Sequence, residues 1–139
     1  VGDLPDWDEV RTTMLAPKPA LSCTAYGLGK PHPVRVAHDG HGGWTLDDGQ
    51  GGSPAPLSWA RSAVDPARYA NLASARGDVL RREREGARDA IVVDVHELRR
   101  PGGPPLRCWV DEVTGAILRM ERVDDPAPIV MLLDLREEG

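Results

Sequence analysis

The sequence predicts an α+β fold in which short helices lie in the concave side of a curved, largely antiparallel sheet. Three observations lead there. Period-two alternation of β-branched, aromatic and aliphatic residues recurs in several short runs, which is strand patterning. Glycine and proline are abundant, at 15 and 13 of 139 residues, which favours many turns over long helices. The last apolar run is apolar on nearly every residue from Ile129 to Leu133, so the sheet needs cover on both faces.

The clearest segment is residues 106–123. Its first half sets Cys108 and Val110 against Arg107, Trp109 and Asp111, and its second sets Ala116, Leu118 and Met120 against Ile117, Arg119 and Glu121. Two alternating runs around a short polar stretch predict an antiparallel hairpin. Gly115 supplies a positive φ, and Asp111 or Thr114 can hydrogen-bond the turn backbone.

Taken in order, Asp6-Trp7-Asp8-Glu9 predicts a helix start with Asp6 as cap. Trp7, Val10 and Met14 form its narrow apolar face, and Pro17 and Pro19 end it. Strands follow over residues 20–28, 33–39 and 43–47, the last two closed into a hairpin by His38-Asp39-Gly40-His41-Gly42. Residues 47–56 read as a Gly/Ser/Pro-rich mobile flap. A short helix over 57–64 turns Trp59 and Val64 inward. Asp65-Pro66 then predicts a second helix, capped by Asp65, burying Tyr69, Leu72 and Ala73 and ending at Gly77. Residues 78–89 suit either a helix or a strand and turn. Residues 91–96 are a strand, 101–105 a Pro/Gly loop, and 129–135 a last strand alternating Ile129, Met131, Leu133 and Leu135 with Val130, Leu132 and Asp134.

At this length one domain spanning 1–139 is expected, large enough to bury a core without covalent staples. The core must rely on aliphatics and four tryptophans, because phenylalanine is absent. A net charge of −5 with no basic stripe argues against nucleic-acid binding. The run Arg81-Arg82-Glu83-Arg84-Glu85 is interrupted by acids and reads as a solvated face. No apolar run reaches the roughly 18 residues of a membrane span. No secretory leader is visible, and the chain opens on Val1 rather than methionine, so it reads as a trimmed sequence whose compartment stays open. Cys23 and Cys108 allow one disulfide or two buried thiols.

Candidate chemistry is sparse. His38 and His41 flank an Asp-Gly turn, but zinc needs three or four ligands, and His32 and His96 lie in other segments; a solvent-exposed turn is the better reading. Cys108 alternates with Val110 in a strand and reads as a packed thiol, not a nucleophile. Ser53 and Ser58 sit in no nucleophile elbow, and the glycine clusters lack the lysine of a phosphate loop. No cofactor is implied. Apolar surface is what remains in surplus, and it suits either a greasy ligand between sheet and helix or a partner subunit on the second face.

The element order, with two motifs, resembles the lipoprotein-carrier fold shared by the periplasmic lipoprotein localisation carrier and sigma-E regulatory RseB-type domains, in its actinobacterial form. The motifs are Gly86-Ala87-Arg88-Asp89-Ala90-Ile91-Val92-Val93 and Trp109-Val110-Asp111-Glu112-Val113-Thr114-Gly115-Ala116-Ile117-Leu118-Arg119-Met120-Glu121. The first carries an inserted Ala87. The resemblance implies a half-open β-barrel around helices, a strand over residues 78–85, and non-catalytic uptake of acyl chains, a lipidated protein or a protein segment. It also implies an extracytoplasmic location; without the resemblance a cytoplasmic one is expected. On this view Trp44, Leu46, Trp109, Leu118, Met120, Met131 and Leu133 line an apolar groove, and Trp59 and Tyr69 form its lid. Two rivals are a module that homodimerises through its second apolar face, and a hydrolase using Asp47 and Asp48.

Overall fold

The computed structural model describes residues 3–49 and 57–138. The described residues form one eight-stranded antiparallel sheet, open at both ends rather than closed into a barrel, with two short helices. Chain order is α1 (Trp7–Leu15), β1 (Ala20–Gly27), β2 (Val34–Asp39), β3 (Trp44–Asp47), α2 (Ser58–Val64), β4 (Arg76–Glu85), β5 (Arg88–His96), β6 (Leu106–Asp111), β7 (Ile117–Arg122) and β8 (Asp125–Glu137). The spatial order is β3-β2-β1-β8-β7-β6-β5-β4, so the C-terminal strand joins an N-terminal meander to a central one.

Paired residues of antiparallel strands share a face, so the register defines two surfaces. Gly27, Val130, Met120, Cys108 and Val93 form one cross-strand row. A Cβ on Gly27 would come within 2.9 Å of the Trp59 ring, which places this row beneath α2. It is the concave, core-facing side. The row one residue along, Tyr26, Met131, Arg119, Trp109 and Val92, therefore faces the opposite, convex side.

The predicted hairpin is present as β6 and β7. Thr114 donates from its backbone N–H and its hydroxyl to Asp111 Oδ2, both at 2.8 Å, and Gly115 takes φ 77°. Helix α1 starts as expected, Asp6 accepting from the Glu9 N–H at 2.8 Å. At its other end the buried Lys18 ammonium donates to the carbonyls of Met14 at 2.9 Å and Ala16 at 2.7 Å, satisfying groups a helix end leaves open. Trp7 lies flat over Gly77, its indole N–H bonded to the Ala75 carbonyl at 2.9 Å.

Three expectations are corrected. The helix predicted from Pro66 to Gly77 is instead two single 3-10 turns, Pro66–Arg68 and Leu72–Ser74; Ala73 is exposed and Gly77 lies in β4. Asp65 caps nothing there, and its carboxylate turns toward Lys18 at 3.9 Å. Pairing with β5 draws the chain into the sheet from Arg76 onward, so Gly77 is a strand residue and not a helix end. The ambiguous stretch 78–89 is accordingly strand, turn and strand. His38 is buried rather than solvent-exposed, its ring tilted against Trp44 at 4.7 Å between centroids. Last, the alternation of β8 breaks at Asp134, which takes φ 56° and lets Leu135 return to the core. Both cysteines are buried and free. Of the expected flap, residues 50–56 lie outside the described residues.

Candidate functional site

A cavity of about 750 Å³ opens at one end of the concave face, between the sheet, α2 and the 3-10 turn after it. Its floor comes from the sheet: Leu106 on β6, Met120 on β7, and Ile129 and Val130 on β8. Its wall comes from Trp59 on α2 and from Tyr69. Gly27 is the residue that makes this geometry fit, because any side chain there would meet the Trp59 ring and the Lys30 stem, each at 2.9 Å. Burial pushes the Tyr69 phenol up to about 12, with Arg99 drawing it slightly back, so the wall presents a neutral hydroxyl at physiological pH.

The mouth differs in chemistry from the floor. Lys30, from the β1–β2 loop, Arg99 and Arg100, from the β5–β6 loop, and Arg122, at the end of β7, surround it, with Glu97 as the one acid among the lining residues. Apolar depth with a few convergent polar groups is the ordinary character of a ligand site.

Of the nine residues expected to line the groove or its lid, the cavity brings together Trp59, Tyr69 and Met120. Trp109 and Met131 stand on the convex face, and Leu133, beside them on β8, is 41% exposed. The Arg119 guanidinium lies 5.3 Å above the Trp109 ring, so that indole is covered by a cation rather than by a ligand. Leu118 is fully packed in the core, and Trp44 and Leu46 are half-buried on the edge strand β3. Sequence patterning gave no sign of Gly27, Leu106 or the four cations, since three separate segments supply those cations. The pair Arg99-Arg100 ahead of a Pro/Gly loop is the one local hint.

No group of metal-ligating side chains is present among the described residues. Burial pushes the Cys23 thiol up to about 12 and the Cys108 thiol higher still, which leaves both inert as nucleophiles. No helix of the described residues is long and apolar enough to cross a membrane.

No protein-family model and no curated protein matches the sequence. Solved structures do. A crystal structure of MucB aligns over 96% of this chain with a TM-score of 0.58 and 15% identity. The chain shares the MucB fold. A second crystal structure, MucB in complex with MucA(peri), aligns over the same 96% with a TM-score of 0.52 and 13% identity. This chain spans 58% and 55% of the length of those two MucB chains, so the likeness covers little more than half of each. The MucB likeness supports the RseB-like fold expected from the element order and the motifs at 86–93 and 109–121.

Proposed function

We propose that this chain is a non-enzymatic, extracytoplasmic binding domain that takes up a hydrophobic ligand or a partner segment in the concave cavity. The observation that carries the reading is the 750 Å³ cavity with its floor of Leu106, Met120, Ile129 and Val130 and its wall of Trp59 and Tyr69. That MucB is found in complex with MucA(peri) supports a binding role for the architecture. Each methylene entering such a cavity contributes about 0.8 kcal/mol, or roughly fourfold in affinity.

Two measurements test it. Native mass spectrometry of detergent-free protein is expected to show a co-purified lipid. A brominated fatty acid is expected to quench tryptophan fluorescence in the parent chain and far less in Trp59→Phe. Protein that is empty and indifferent to added acyl chains would sink the proposal.

A second reading is favoured by the convex face, where Tyr26 is 44% exposed and pairs with Met131, next to the exposed Leu133. We propose homodimerisation there as the alternative. Light scattering would report a dimer that Tyr26→Glu and Leu133→Glu dissociate; a monomer at all concentrations removes it.

A further inference from the structure

We infer that the cavity selects amphiphiles with an anionic head, a carboxylate or a phosphate, over neutral and cationic ones; this rests on the proposal that the cavity takes up an acyl chain. The concave face changes character along its length. The row Cys108–Met120–Val130 is apolar, but one step toward the mouth the paired residues are Leu106 and Arg122. The guanidinium of Arg122 thus stands on the cavity side of the sheet, whereas Arg107 and Arg119 project from the convex side.

Arg99 and Arg100 reach the mouth on a built loop rather than a loose one. Glu97, at φ 60°, turns the chain off β5, and the fully buried Leu98 pins the loop to the core. The Gly103 N–H bonds back to the Arg100 carbonyl at 3.2 Å. Lys30 closes the ring from the other side, its N–H bonded to the Gly27 carbonyl at 3.0 Å.

Four cations against one acid thus surround an apolar pocket in a chain whose net charge is −5. Four strand arginines away from the mouth are each paired with acids: Arg81 with Glu83, Arg88 with Asp111 and Glu137, Arg107 with Asp94, Arg119 with Glu121. Lys30, Arg99 and Arg100 form no ion pair among the described residues, and Arg122 reaches Asp124 only at 4.0 Å. Unneutralised guanidinium groups converging on one opening are suited to an oxyanion, which they hydrogen-bond in pairs.

The test holds the chain constant and varies the head. Dodecyl phosphate, dodecanoate, dodecyltrimethylammonium and dodecanol are titrated into the protein below their micellar concentrations, at low and high salt. One or both anions are expected to bind at least about tenfold tighter than the neutral and cationic compounds, with the advantage shrinking in salt. Which anion binds tighter distinguishes a fatty-acid head from a phosphate head. In the combined variant Arg99→Gln, Arg100→Gln, Arg122→Gln, all at exposed positions, the anion advantage is expected to vanish while dodecanol binding persists. Equal affinity for all heads, or an anion advantage that survives in the variant, overturns this inference and leaves the cavity proposal standing. No binding of any compound overturns both.

Discussion

Removing the Asp111 carboxylate should be among the most damaging single changes in this chain. Asp111 is 1% exposed and holds four hydrogen bonds. Two come from Arg88, at 2.8 and 2.9 Å, and two from Thr114, both at 2.8 Å. It therefore ties the β6–β7 turn to β5 and, through the Arg88–Glu137 contact at 3.0 Å, to the end of β8. Breaking a buried pair by deleting one partner costs about 3–5 kcal/mol. Arg88 is about one-fifth exposed and keeps Glu137, so its charge is not stranded and the lower end, about 3 kcal/mol, is expected for Asp111→Ala. With a urea m-value of about 1.5 kcal/mol/M the midpoint should fall by roughly 2 M at unchanged slope. The double variant with Arg88→Ala should cost less than the two singles summed. Urea titration followed by circular dichroism reads all three. A shift under about 0.5 M, or strict additivity, would refute the account of Asp111 as the hairpin's anchor.

Three further outcomes are expected. Burial disfavours the charged form of Asp111, but the Arg88 and Thr114 donors outweigh it and hold its pKa low. The associated stability is therefore present above the unfolded value near ~3.9 and lost as pH falls through the folded one, and Asp111→Asn should flatten that acid limb of a stability–pH curve. Desolvation lowers the Lys18 pKa despite Asp65, so stability should rise with pH from the folded value up to the unfolded one near ~10.4. Lys18→Met should abolish that rise and cost about 2 kcal/mol, by leaving the Met14 and Ala16 carbonyls without their buried donor. Finally, Cys23 and Cys108 should resist a thiol reagent in the native protein and both react once it is unfolded in guanidinium, whereas rapid native labelling would contradict their burial.

Much of the fold is local in origin and so was legible in residues. The β6–β7 hairpin follows from alternation plus a turn whose Asp111, Thr114 and Gly115 act within five residues of one another. The α1 start follows from Asp6 and Glu9 in the same way. Residues 66–77 carry helix-start residues yet form two 3-10 turns, because helix caps are weak local signals. The end of that stretch, Arg76 and Gly77, gains ladder hydrogen bonds with β5, and the remaining ten residues are short of the length at which a helix is stable by itself. The bulge at Asp134 was likewise hidden, since an aspartate in left-handed geometry is a demand of the strand pairing, not of its neighbours in sequence.

The candidate site divides along the same line. Sequence by itself determined the antiparallel strands, the surplus of apolar faces and the aromatic residues Trp59 and Tyr69 on the elements that cover them. Which face is concave was decided only in three dimensions. Side-chain alternation is symmetric between the two sides of a sheet, and only the packing of α2 over Gly27 breaks that symmetry. The same packing assigns Met120 to the cavity and Trp109 and Met131 to the opposite surface. The cationic mouth is likewise a property of the tertiary structure, because Lys30, Arg99, Arg100 and Arg122 meet only when three separate chain segments converge at one end of the sheet.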